Sequence, residues 1–210
     1  MAQRRGRGRP RQTEQDTSQA LSRAALLRFA AQGYEATSLR EIAADANVDV
    51  ALISYRFGGK AGLWKSIVSD AASDLRDALA HALLNAEAET DAERLRYSMK
   101  AFLAYLLARP EVPRLLLRDI TVDTDRSRWL LDELTTPLHR HFFELAQSAA
   151  GSVANPPSHM QFRIANFIYS AASTVARRER LAKLVESLAD DTAFEEALVT
   201  TLIDGVLPGD

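Results

Sequence analysis

Residues 37–64, TSLREIAADANVDVALISYRFGGKAGLW, leave little choice of local structure. Leu39, Ile42, Ala43 and Ala46 recur at helical spacing, and the run stops at Asn47-Val48-Asp49. Thr37 or Ser38 can cap this helix, and Glu41, three residues after Ser38, completes a capping box. Asn47 suits the left-handed backbone of a tight turn, and Asp49 can cap the next helix. That helix runs from Val50 to about Arg56 and ends before Gly58-Gly59. The spacing predicts two short helices joined by a three-residue turn, held together by Leu39, Ile42, Ala43, Val48, Ile53 and Phe57.

The flanks are helical as well. After Thr17 the pattern places Leu21, Ala25, Phe29 and Ala30 on one face, with Gly33 as the stop. A long helix is expected from Lys60 to about Ala86, with Leu63, Ile67, Leu75, Leu79 and Leu83 on its inner stripe. Leu95, Met99, Phe102 and Leu106 share the next face, up to Arg109-Pro110. A short helix should open at Pro113 and reach Ile120, and a longer one should run from about Arg126 to Gly151. Beyond the loop Asn155–Ser158, helices are expected at 160–175, Leu181–Leu188 and Ala193–Val206. With no strand pattern and no internal repeat, the fold class is all-α: an N-terminal three-helix helix-turn-helix domain followed by a C-terminal helical bundle.

Composition narrows the function. With 47% apolar and 26% charged residues the chain is an ordinary globular protein, and no apolar run approaches the roughly 20 residues that span a bilayer. The basic N-terminus has no apolar stretch behind it, so no secretory signal is expected. Cysteine is absent, which excludes disulfides and thiolate chemistry and fits a cytoplasmic protein with no membrane partner. The net charge of −2 hides an asymmetry: Arg4, Arg5, Arg7, Arg9 and Arg11 crowd the N-terminus without an acid, 12–65 is balanced, and the remainder is acidic. A polyanion is drawn to the N-terminal end and repelled by the rest. Gly6, Gly8 and Pro10 argue against a helix in the arm, taken as disordered over 1–16.

The short helix at 50–56 places Val50, Ala51, Leu52, Ser54, Tyr55 and Arg56 outward or to its flanks, two adjacent apolar residues with a Tyr-Arg pair beside them. These are odd choices for a solvated surface and apt ones for thymine methyls, phosphates and guanine. Five features carry a resemblance: the approach from Gly33 to Thr37-Ser38, the Ile42-Ala43 pair, Ala46-x-Val48, Tyr55-x-Phe57, and Lys60 followed by Leu63. With them, the stretch from Thr17 to Ser66 resembles the N-terminal domain of the TetR family of transcriptional regulators.

The resemblance implies a helix-turn-helix DNA-binding domain over 17–66 and a ligand-sensing and dimerisation domain over 67–210. It implies that Arg40 reaches DNA, that Val50, Ala51, Leu52, Ser54, Tyr55 and Arg56 form the recognition surface, and that Lys60 clamps a phosphate. The chain departs from the family pattern at Asn47 and Asp49 (commonly Gly and Ser), at Ala51 and Leu52 (Gly and Thr) and at Arg56 (His). Arg7, Arg9 and Arg11 resemble a minor-groove arm for A·T-rich DNA; the bland reading is a solvated tail.

The same resemblance makes Phe102, Tyr105, Trp129, Phe142, Phe143 and Phe162 candidates for lining a pocket for a small apolar or amphipathic effector, although each alone reads better as ordinary core. Ser170, Ala171 and Ala172 (a small-residue face), with Leu198, Leu202 and Val206, are candidates for a dimer interface. The expected partners are a pseudo-palindromic double-stranded DNA operator and a second copy of the chain. No metal site is expected, because no pair among His81, His139, His141 and His159 is spaced i, i+3 or i+4. Beyond an effector, no cofactor is expected. The run Arg177, Arg178, Arg180 could grip an anion or simply close a helix and pair with acids. The leading expectation is a homodimeric repressor released by an effector, the alternative an architectural DNA-binding protein without one. No nucleophile–base pair, paired carboxylates or phosphate loop points to an enzyme.

Overall fold

The computed structural model describes residues 11–118, 123–151 and 158–204, with side chains from residue 17 onward. Among these the chain is all helical and divides into two units between Ile67 and Val68. The first unit holds α1 (Arg11–Gln32), α2 (Leu39–Asp45), α3 (Val50–Phe57) and the start of α4 (Lys60–Leu84). α4 runs unbroken across the division. The second unit adds α5 (Asp91–Ala108), α6 (Glu111–Leu116), α7 (Asp125–Leu130), α8 (Thr136–Gly151), α9 (Met160–Ala176), α10 (Arg178–Ala182) and α11 (Asp191–Leu198).

α1 begins at Arg11, well ahead of the start expected at Thr17. Pro10 is the last breaker ahead of α1, and nothing in RQTEQDTS opposes a helix. The expectation of a disordered arm therefore fails for 11–16, while 1–10, with Arg7 and Arg9, lie outside the described residues. Leu21, Ala25, Phe29 and Ala30 are buried as expected, and Gly33, at φ 88°, closes the helix. Trp64 is fully buried as well, and the edge of its ring meets Tyr34, which stacks on Phe29.

The junction of α3 and α4 is unusually tight. Gly58 and Gly59, at φ 70° and 113°, reverse the chain, and α4 starts at the next residue. A Cβ on Gly62 would stand 1.7 Å from the Phe57 carbonyl oxygen, so the first turn of α4 rests directly on the end of α3.

In the second unit, Phe102, Phe142 and Phe167 from α5, α8 and α9 pack edge to face or tilted, with ring centroids 5.5–5.7 Å apart. The helix expected over 126–151 is present as α7 and α8, joined by a π-helical turn at Leu131–Thr135. Pro137 explains the turn: its ring cannot donate to the carbonyl four residues back and crowds it. The helix widens just ahead, and the Thr136 amide bonds to the carbonyl of Leu131. α6 starts at Glu111 and tolerates Pro113 in its first turn; Ile120 and most of the Asn155–Ser158 loop lie outside the described residues. The helix expected over Leu181–Leu188 is instead α10, which stops at Ala182, and a separate 3-10 turn at Glu186–Ala189. α11 starts at Asp191, capped by Asp190, and continues through a π turn to Ile203. Among the described residues no helix is long and apolar enough to cross a membrane, and no group of three or more His, Asp or Glu side chains is placed to hold a metal ion.

His141 on α8 is half-buried, and its Nε2 shares a hydrogen bond of 2.7 Å with the hydroxyl of fully buried Ser98. Burial holds its pKa below the ordinary 6.5, against the opposing pull of Glu144. The folded state therefore favours neutral imidazole, and the unfolded chain takes up the proton first. The contribution of His141 to stability is complete above the ordinary value, falls as the pH drops through it, and is gone below the depressed folded value, where no further change follows from this group. Glu41, Asp45 and Glu93, held below their own ordinary ranges, act in the same direction only at lower pH.

Two outcomes follow from this packing. The melting temperature should fall between about pH 7.5 and about pH 5.5, and His141→Gln should flatten that fall; an unchanged slope in thermal melts refutes the assignment. Gly62→Ala should destabilise the chain by about 1–3 kcal/mol in denaturant unfolding. The gain of about 1 kcal/mol that an ordinary helical glycine would give would show that the close approach is absent.

Candidate nucleic-acid interface and the interior of the second unit

α2 and α3 are fixed by local chemistry. The Ser38 amide donates to Glu41 Oε2 at 2.8 Å, and the Glu41 amide donates to Ser38 Oγ at 3.2 Å. The backbone and hydroxyl of Ser38, with Arg28 adding to them, hold the Glu41 carboxyl below its ordinary range. Arg28 on α1 also grips both oxygens of Asp45, at 2.5 and 2.8 Å, so the two ends of α2 share one guanidinium. In the turn, Asn47 adopts φ 53°, the left-handed conformation expected of it. Asp49 then accepts a hydrogen bond of 2.7 Å from the Ala51 amide, so the departure from the family's serine is a helix cap.

Ile53 is the one fully buried residue of α3. Val50, Ala51, Ser54 and Tyr55 are exposed and share the outer face; Tyr55 reaches 88% exposure, which no packing role accounts for. Leu52 and Arg56 are half-buried, and the Arg56 guanidinium donates to the Ser18 hydroxyl of α1. The structure thus brings Val50, Ala51, Ser54 and Tyr55 together and sets Arg56 at the edge as a brace between α3 and α1. Arg40 is exposed on α2. Lys60, the first residue of α4, donates to the Glu35 carbonyl at 3.3 Å, with its ammonium 4.5 Å from the Tyr34 ring centre. Arg11 opens α1, its side chain outside the described residues. Sequence reasoning missed Gly62; its one signal was a glycine inside a helix, where alanine is preferred.

The pocket candidates separate. Phe102 and Tyr105 line an inner cavity of about 50 Å3 in the second unit. Trp129, Phe142, Phe143 and Phe162 do not line it. Phe142 is fully buried in the aromatic cluster, Phe143 stacks on His139, Trp129 is half-buried on α7, and Phe162 is 71% exposed on α9. Tyr105 donates its hydroxyl to the Ala71 carbonyl of α4 at 3.0 Å, and burial pushes its pKa up to about 12. Arg109 lies over the Tyr105 ring and pairs with Asp74 at 3.4 Å, a second tie between α5 and α4.

Among the dimer candidates, Ala171 and Leu198 point into the core of the second unit and cannot form an outer surface. Ala172 lines the inner cavity, Ser170 and Leu202 are half-buried, and Val206 lies outside the described residues. In the basic run, Arg177 donates to the Ser173 carbonyl and Arg178 pairs with Asp191, so these two close a helix and meet an acid.

Residues 21–67 match the family model described as bacterial regulatory proteins, tetR family. YttP of Bacillus subtilis (strain 168), a probable HTH-type transcriptional regulator, is 31% identical over 115 residues, covering 55% of this chain and 56% of that protein. The chain thus spans about half the length of this curated relative. Two solved structures share the fold: a bacterial regulatory protein in the tetR family from Rhodococcus RHA1 (TM-score 0.74, 18% identity, 92% of this chain and 98% of that chain), and the fatty acid degradation regulator FadR from Bacillus halodurans (TM-score 0.71, 16% identity, 96% and 98%). The capped turn, the outward face of α3 and the match over residues 21–67 agree: this N-terminal stretch is similar to the domain described by the model of the tetR family of bacterial regulatory proteins.

Proposed function

We propose that the chain is a sequence-specific DNA-binding transcriptional regulator, a homodimeric repressor that a small-molecule effector releases from its operator. The observation that carries the reading is the outer face of α3, where Val50, Ala51, Ser54 and Tyr55 stand exposed on a helix held by one buried side chain and a capped turn. A face of methyl groups, a hydroxyl and a phenol suits base edges and phosphates in a major groove. Arg40 and Lys60 supply cations at the neighbouring helix starts, and the arm with Arg7, Arg9 and Arg11 supplies more.

One such helix covers only a few base pairs, so useful specificity calls for two copies on a pseudo-palindrome. With Ala171 and Leu198 inside the core, the dimer contact is read onto the outer side of α9, where Phe162 and Tyr169 are exposed. Release follows if an effector in the second unit shifts α4, whose first turn rests on the end of α3.

Selection of DNA from a random pool with the full chain should recover a pseudo-palindromic site, protected over about one to two helical turns. Uniform coating would contradict the reading and favour an architectural role. On the selected site, Lys60→Ala should weaken binding to specific and random DNA alike and lower the salt slope by about 1. Ser54→Ala should instead change which base pairs are preferred; equal loss on both kinds of DNA for both variants would refute the division of labour.

A further inference from the structure

Among the described residues of the second unit, an inner cavity and an outer groove share a wall of Leu75, Leu134 and Leu138. The inner cavity, at about 50 Å3, falls well short of the roughly 300–1,000 Å3 that small-molecule sites occupy. The outer groove, at about 350 Å3, reaches that range. It runs along α4, whose Leu75, Leu79 and Leu83 make its floor. The opposite lip is the π turn and the start of α8, with Glu133 and His141.

The polar groups of the groove differ in what they have left to offer. Glu133 accepts the Ser69 hydroxyl at 3.1 Å, and His141 is joined to Ser98. Arg76, exposed at the rim, forms no ion pair or hydrogen bond with any described residue. The groove thus pairs an apolar floor with one uncommitted cation, while Glu133 disfavours an anion at the other lip.

We propose that the outer groove, rather than the inner cavity, is the effector site, and that it takes a small amphipathic carboxylate whose apolar chain lies on the leucines of α4 and whose carboxylate meets Arg76. The assignment rests on the effector-release reading above and gives it a ligand class and a place. A ligand seated there touches α4 directly. It also lies against the π turn that Ser69 of α4 holds through Glu133, so occupancy acts on both walls at once.

Calorimetry of the full chain with decanoate and decan-1-ol tests this without DNA. Decanoate should bind about tenfold more tightly than the alcohol, the size of a single charge-assisted contact. Arg76→Gln should abolish that preference and leave the affinity for the alcohol unchanged. Ala80→Trp, at an exposed position of α4 that lines the groove, should weaken both at least about tenfold, and Ala172→Leu, in the inner cavity, should leave both within about twofold. The proposal is overturned if decanoate does not bind, if the preference survives in Arg76→Gln, or if Ala172→Leu blocks binding while Ala80→Trp does not. Affinity for the selected DNA, measured alongside without decanoate, separates the two readings. Intact DNA binding with no decanoate binding refutes the groove alone. Decanoate binding that leaves the DNA complex undisturbed upholds the groove and refutes release.

Discussion

The contact on which this protein depends is the one between the Phe57 carbonyl and Gly62, where a side chain would leave only 1.7 Å. It sets the end of α3 directly on the first turn of α4. α3 has a single buried residue of its own, so its orientation is borrowed from its neighbours: α2 through the capped turn, α1 through Arg56 and Ser18, and α4 through this close approach. α4 then continues without interruption past Ile67, and its leucines form walls of the inner cavity and the outer groove in the second unit. One helix thus begins beside the proposed DNA-reading face of α3 and ends among the residues proposed to meet a ligand.

Directional bonds tie α4 to its neighbours in the second unit. Tyr105 donates to the Ala71 carbonyl, Arg109 reaches Asp74, and Ser69 donates to Glu133 on the π turn. The exposed ion pair adds little to stability, being open to water and salt. The bond of Tyr105 is different: its hydroxyl is buried beside the inner cavity, and breaking it would leave a polar group without solvent. Motion of the cavity wall relative to α4 would have to break these bonds at defined points along the helix.

The helix-turn-helix was legible in the sequence because its determinants are local. Ser38 with Glu41, Asn47 in the turn and Asp49 before Val50 each act within three residues, and all are seen in the roles their chemistry dictates. What was hidden depends on distant partners. The bond of Arg56 to Ser18, far back in the chain, cannot be read from the residues around Arg56. Phe142 and Phe162 are alike as residue types, yet one closes the aromatic cluster and the other faces solvent. Ala171 reads as an interface residue because it is small, yet it lies fully buried within the second unit. The π turn follows from Pro137, but its consequence, a widened lip over a groove, emerges only when α4 lies opposite.

The central claim is that DNA and effector compete through α4 although they bind different units. Thermodynamic linkage makes this testable in one measurement: the affinity of the full chain for decanoate, with and without saturating amounts of its selected DNA site. The account predicts that the DNA weakens decanoate binding by the same factor by which decanoate weakens DNA binding. An affinity for decanoate that is the same in both states would contradict it.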